Sequence, residues 1–185
     1  MKERIIEISK KLGLTHISSC LSTLPILEEI YSVKQPDDLV LLDNAHAHLA
    51  HLMFTNPQNA EFLIKKYGTH CDVRAGCVVS GGSLGHAIGI GIGIAFVNRK
   101  RNVYVIASDG SMQEGSNWEA LRIKKELGLT NLRCYFNFNG YSALSLIDLR
   151  ELSMRVLSFC PNANIRFTQN GEGYEGVQGH YTKAK

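Results

Sequence analysis

The chain has 185 residues, 20 Lys and Arg against 17 Asp and Glu, a net charge of +3 and a hydrophobic share of 44%. Such values fit one foldable domain with a real core and exclude disorder; the small, evenly spread charge excludes nucleic acid as the main partner. The longest apolar run, Ala87–Val97, holds eleven residues, three of them glycine, which is too short to cross a bilayer. Residues 1–6 mix both signs of charge, unlike a secretion signal. Cys20, Cys71, Cys77, Cys134 and Cys160 are odd in number, and no two stand at a two-residue gap. We therefore expect a reducing cytoplasm, no disulfides and no thiol-bound metal.

In chain order, Ile5, Ile6, Ile8 and Leu12 predict a helix over 3–12 that Gly13 ends. Residues 14–20 read as irregular, and a second helix is expected over 22–31 with Pro25 in its first turn. Residues 39–42 predict a short buried strand delivering Asp43-Asn44-Ala45-His46, followed by helices over 48–54 and 60–67. The stretch 76–93 holds 7 of the 17 glycines. Within it 89–94 alternates Gly and Ile, a strand by pattern. The resemblance described below favours a buried helix there, its glycines admitting another backbone. Strands at 103–107 and 132–136 around a helix at 114–127 form a βαβ unit with parallel strands. A helix at 147–159 and a strand at 164–168 follow, then a glycine-rich tail. The fold class is α/β, a parallel sheet flanked by helices in a single domain over 1–185.

Ligands of parallel sheets bind beyond the carboxyl ends of the strands. Two polar turns fall there, Ser108-Asp109-Gly110-Ser111 and Asn137-Phe138-Asn139-Gly140-Tyr141. Neighbouring strands would bring Asp109 and Asn139 to one edge as hard oxygen ligands for Mg²⁺, whose shell phosphate and water commonly complete. Glycines at 81, 82, 85 and 110 would let backbone N–H groups approach an anion. The plainer alternative makes Asp109 a helix cap and Asn139-Gly140 a tight turn.

A family resemblance separates these readings. Asp109-Gly110, then 28 residues, then Asn139 resembles the thiamine-diphosphate motif. The run at 108–115 with Trp118-Glu119-Ala120 is similar to the transketolase version, and Leu129-Thr130-Asn131-Leu132 to the approach to its second strand. Gly82-Ser83-Leu84-Gly85 resembles the family's glycine loop. His16 with Ser19, Leu21 and Ser22 resembles its N-terminal His segment, where Ile17 and Ser18 replace Pro-Gly. Residues 42–46 resemble its Ser-Asn-Gly-His, and Gly68-Thr69-His70 its Gly-His-Pro turn. Gly171-Glu172-Gly173 and His180-Tyr181 resemble its Lys-Gly-Lys-Gly and Trp-His-Tyr. The matches keep family order from residue 14 to 181.

The resemblance implies the thiamine-diphosphate-binding fold and, within it, the diphosphate-binding domain of a transketolase. Asp109 and Asn139 would bind Mg²⁺ (or Ca²⁺ or Mn²⁺ in its place) through side chains, Tyr141 through its carbonyl. Gly82, Ser83, Leu84, Gly85 and Gly110 would touch the cofactor with Asp109 and Asn139. His16, His46, His70 and His180 would contact diphosphate or sugar hydroxyls and move protons, work that suits imidazole. Glu114 falls at the family's contact between subunits, and His86 stands where Gln is usual.

No segment resembles the family's pyrimidine-binding domain, whose Glu activates the cofactor. This implies the N-terminal chain of a split, cytoplasmic transketolase, paired with a pyrimidine-binding chain as an α2β2 heterotetramer. It would move a two-carbon ketol unit between sugars or sugar phosphates, with no nucleic acid and no membrane involved. The single helix between Asn139 and the closing strand implies a domain trimmed near its C-terminus. Alternatives are another two-chain thiamine-diphosphate enzyme of the keto-acid decarboxylase type, or a non-catalytic regulatory remnant that binds cofactor or partner. The spacing of His46, His48 and His51 fits no common zinc motif.

Overall fold

Helix α1 spans Lys2–Leu12 and buries Ile5 and Ile8. Gly13 stops it at φ 60°, its N–H donating to Lys10 O and that of Leu14 to Ser9 O. The protein is described here by a computed structural model covering residues 1–142, 145–169 and 183. Helix α2, Ile17–Val33, begins five residues before the expected start and carries Pro25 in its interior. Its serines hid the start. Ser18 and Ser19 precede the expected start, and such residues read as a loop, although Ser18 is buried in the fold.

Strand β1, Leu39–Leu42, pairs in parallel with β2, Val103–Ser108. Strand β2 pairs with β3, Leu132–Phe138, and β3 with β4, Asn164–Phe167, again in parallel and in the order β1-β2-β3-β4. The expected βαβ unit is present, with α6, Gly115–Glu126, as its crossover. Helix α7, Leu149–Phe159, is the helix described between β3 and β4. It starts later than expected because the Asp148 carboxylate caps it, accepting from the N–H groups of Arg150 and Glu151.

Alternate strand residues face opposite sides of the sheet. Val40, Leu42, Tyr104, Ile106 and Tyr135 pack against α1, α2, and helices α3, His48–Thr55, and α4, Ala60–Tyr67. Leu41, Val103, Val105, Cys134 and Phe136 pack against α5, Ala87–Val97, with α6 and α7. Strands added always on the same side, through right-handed crossovers, send α5, α6 and α7 to one face. All five cysteines are free thiols. No helix among the described residues is long and apolar enough to cross a membrane.

The alternating Gly-Ile segment is helical, but only one face of α5 is buried. Gly91, Ile92 and Ala95 pack inward while Ile90, Phe96 and Val97 are exposed. What approaches Gly91 is side chains and not the expected backbone: a Cβ there would lie 2.9 Å from Val105 Cγ2 and 3.0 Å from Leu132 Cδ1, whereas Gly89 and Gly93 face open space. Gly91→Ala is therefore expected to destabilise the fold by about 1–2 kcal/mol, overpacking outweighing the gain in helix propensity. Gly93→Ala should instead stabilise it by up to about 1 kcal/mol. Urea unfolding of both variants checks the opposite signs.

Candidate functional site

The carboxyl ends of β1, β2 and β3 open into a cavity of about 240 Å³. The first turns of α2 supply His16, Ser18, Ser19 and Ser22, and the chain after β1 supplies Asn44 and His46. His70, Gly82 and Leu84 come from the connection to α5. Ser108, Asp109 and Gly110 follow β2, and Asn137, Asn139, Tyr141 and Ser142 belong to the end of β3 and its turn. Three of the four histidines singled out in the sequence meet here. Ring centroids lie 4.8 Å apart for His16 and His46, 6.0 Å for His16 and His70, and 6.4 Å for His46 and His70. His180 and the Gly171–Gly173 stretch lie outside the described residues. Ser83 and Gly85 do not line the cavity.

Asp109 ties the two turns together. Its Oδ2 accepts the N–H groups of Asn139 at 2.9 Å, Gly140 at 2.7 Å and Tyr141 at 3.2 Å, while Oδ1 takes only the Gly110 N–H at 3.2 Å. It does not cap α6, whose N-cap position is held by Glu114. Asn139 Oδ1 accepts from Tyr141 N–H at 3.0 Å, and Gly140 turns the chain at φ 86°. Burial pushes the Asp109 carboxyl above its ordinary range, and these N–H groups pull it back only partly.

His16 occupies the N-cap of α2 at φ 62°, the one non-glycine residue at positive φ among the described residues. Such a conformation costs about 1–3 kcal/mol and persists only where its surroundings impose it. Burial, and then the nearby charge of His48, hold His70 below the usual 6.5. Its ring is neutral at pH 7 and has a nitrogen ready to accept a proton. Because the fold disfavours the charged form, His70 subtracts stability as the pH falls below 6.5.

Two features escaped the reading of the sequence. Under the cavity, Asn137 Nδ2 donates to Ser22 Oγ at 3.0 Å and Thr23 Oγ1 at 3.1 Å, and Asn44 Nδ2 donates to Thr23 Oγ1 at 2.9 Å. An Asn inside a buried strand and hydroxyls inside an apolar helix were the available signal. Asp43, 2% exposed, holds the start of α5. Its Oδ1 accepts from the N–H groups of His86 and Ala87 at 2.8 Å, and its Oδ2 from Gly85 N–H at 2.9 Å and Asn117 Nδ2 at 3.2 Å. Gly85, at φ 92°, fits where a Cβ would meet Ser116 Oγ at 2.6 Å.

The donor set can be tested against Mg²⁺. Among the described residues no group of three or more His, Cys, Asp and Glu is placed to hold a metal ion. The expected set has a different chemistry: one carboxylate, one amide and one main-chain carbonyl. Asp109 is buried, and among the described residues its Oδ1 has a single long hydrogen bond and no Lys or Arg lines the cavity. A diphosphate could lie beside this carboxylate only with a cation between them, and a hard divalent ion suits those oxygens. The residues fit.

No family model matches the chain. A transketolase family protein of Sinorhizobium fredii is 32% identical over 95 residues, covering 46% of this chain and 30% of that relative. One of the subunits of the apulose-4-phosphate transketolase of Actinobacillus succinogenes is 38% identical over 61 residues, 31% of this chain and 22% of its own length. A solved transketolase from Campylobacter jejuni superposes on the whole chain with a TM-score of 0.75 at 15% identity, covering 40% of that structure. Over these segments the chain is similar in sequence to transketolases. At 15% identity the solved structure carries the fold alone, and that fold is the parallel α/β fold expected from the sequence. The matched segments span less than a third of each of the two sequence relatives.

Proposed function

We propose that this chain binds the diphosphate of thiamine diphosphate with Mg²⁺, or Ca²⁺ or Mn²⁺ in its place. In this reading residues 1–185 act as a single diphosphate-binding domain, the N-terminal chain of a two-chain, cytoplasmic transketolase-like enzyme. The observation that carries it is the Asp109 carboxylate bound to the turn after β3, in a cavity shared with three histidines and, among the described residues, free of Lys and Arg. Asp109 and Asn139 would hold the cation through side chains and Tyr141 through its carbonyl. Gly82, Leu84 and Gly110, which line the cavity, would approach the diphosphate, with Ser83 and Gly85 in the same loop.

When bound, the cofactor supplies a carbanion able to carry a two-carbon ketol unit between sugars or sugar phosphates. The chain's own part is to position, exclude water and handle protons. Asp109 fixes both turns in one geometry, so their N–H groups and oxygens need no rearrangement on binding. His16, His46 and His70 surround one space, and a neutral His70 can take a proton from a hydroxyl there. His180 joins this set by resemblance alone.

The pyrimidine-binding half would come from a second chain, in an α2β2 assembly. The Actinobacillus relative, itself named as one of the subunits of a transketolase, supports that division. The test is reconstitution with Mg²⁺, thiamine diphosphate, a ketose donor and an aldose acceptor. Neither chain alone should transfer the ketol unit, and the mixture should. A mixed assembly that forms and binds cofactor but transfers nothing would overturn the transketolase reading.

A further inference from the structure

The connection between His70 and Gly82 carries a second set of reactive side chains that the cavity does not use. Cys71, Cys77 and His51 line one small void beside β1. Cys77 N–H donates to Asp72 O at 3.2 Å, and Gly76 at φ 90° turns the chain, so the segment folds back and returns Cys77 toward Cys71. One turn of α3 adds His48 and His51 to this neighbourhood, close enough to Cys77 to favour its thiolate. Tyr31 Oη and His51 Nε2 are hydrogen-bonded at 2.9 Å.

His48 is fully buried, and among the described residues neither its ring nitrogens nor His51 Nδ1 has a partner within ordinary hydrogen-bond geometry. Buried polar atoms without partners are rare and call for an account. Metal ligation is not that account, since no group of three or more His, Cys, Asp and Glu among the described residues is arranged for it. Thiolate chemistry is. The neighbouring Cys71 thiol, and then the nearby imidazoles of His48 and His51, draw the Cys77 thiol far below its usual range, while Cys77 and burial push Cys71 up. Accessibility follows the same division, with Cys77 half-buried and Cys71 only 6% exposed.

We propose that Cys77 and Cys71 are a hydroperoxide-reactive dithiol, Cys77 attacking and Cys71 resolving, with His48 and His51 beside the attacking sulfur. The Cys77 thiolate bonds to one peroxide oxygen as the O–O bond breaks, and the departing hydroxide takes a proton and leaves as water. The Cys77 sulfenic acid is then attacked by the Cys71 sulfur. An S–S bond forms, the S–O bond breaks, and the hydroxide leaves with the Cys71 proton as a second water. Overall one peroxide is reduced to two waters and two thiols are oxidised to one disulfide. The pair Cys134 and Cys160 is the weaker candidate because both are buried, at 3% and 5% exposure, with no imidazole among the groups acting on them. This inference stands whether or not the cavity binds a cofactor. The segment nevertheless reaches the cavity, because Cys71 N–H donates to Ala45 O, next to His46, and Gly81 N–H donates to Cys71 O.

The test treats the folded full chain with one equivalent of hydrogen peroxide at pH 7, followed by thiol alkylation, trypsin and mass spectrometry. Cleavage after Arg74 separates the two cysteines, so their disulfide joins two peptides. The linked pair should form at least about tenfold faster in the folded chain than in the same chain unfolded in urea, with Cys20 unchanged. Cys71→Ser should trap a dimedone adduct on Cys77, and Cys77→Ser should leave Cys71 unmodified. His48→Asn should slow adduct formation at pH 7 and recover as the pH rises past ordinary thiol values. Equal rates in folded and unfolded chain, first oxidation at Cys134 or Cys160, or a Cys71 adduct would overturn the proposal.

Discussion

Asp109→Asn should keep the fold and lose about 100-fold or more in Mg²⁺-dependent affinity for thiamine diphosphate. The amide oxygen can replace Oδ2 as acceptor for the N–H groups of Asn139, Gly140 and Tyr141. Stability should therefore change by about 1 kcal/mol at most. What the amide cannot supply is the negative charge facing a cation. Asp109→Ala removes the acceptor as well, leaving the N–H groups of Gly110, Asn139 and Gly140 bare while Tyr141 N–H keeps Asn139 Oδ1, and should cost about 3–5 kcal/mol besides the affinity. Comparing the two by urea unfolding and by cofactor titration separates structural tie from cation ligand. An Asn variant that binds cofactor as tightly as the parent, with the same Mg²⁺ dependence, would leave Asp109 only its structural part.

Asp43→Ala is expected to cost the fold as much stability as Asp109→Ala. Three backbone N–H groups at the start of α5 and the Asn117 amide converge on this carboxylate. The helix dipole adds to those bonds, and the three backbone donors lose their acceptor together, while Asn117 Nδ2 keeps Ser111 O. A loss of about 3–5 kcal/mol follows, lowering the melting temperature by about 10 °C for a chain of this size. Thermal unfolding by circular dichroism measures it. Hydrogen exchange should rise first at Gly85, His86 and Ala87, and a change spread evenly over the sheet would argue against a local anchoring role. Because this anchor positions the loop that includes Gly82 and Leu84, cofactor affinity should fall along with stability.

Why Asp43 was overlooked has a physical answer. Its partners Gly85 and Asn117 lie 42 and 74 residues away, and no local pattern records such a contact. The strands were legible because sheet-buried runs such as 103–107 are apolar on both faces. Pattern misled at 89–94, where Ile alternates with Gly as in a strand; in the structure it is a helix packed on one face through Gly91. The start of α2 is hidden by Ser18 and Ser19, polar residues ahead of the apolar helical pattern. Meeting of the Asp109 and Asn139 turns followed from parallel pairing alone, since Ser108 stands in register with Asn137. Convergence of His16, His46 and His70 did not, because it depends on how α2 and the connection to α5 close over the strand ends, and resemblance supplied it. The left-handed backbone of His16 has no counterpart in any pattern of residue types.

The most direct measurement is a calorimetric titration of this chain with thiamine diphosphate, once with Mg²⁺ and once with EDTA. The proposed cation and diphosphate contacts all belong to this chain, so saturable binding should appear with Mg²⁺ and vanish with EDTA, and thiamine without its diphosphate should not bind. No saturable binding in either buffer, or the same binding in both, would contradict the account.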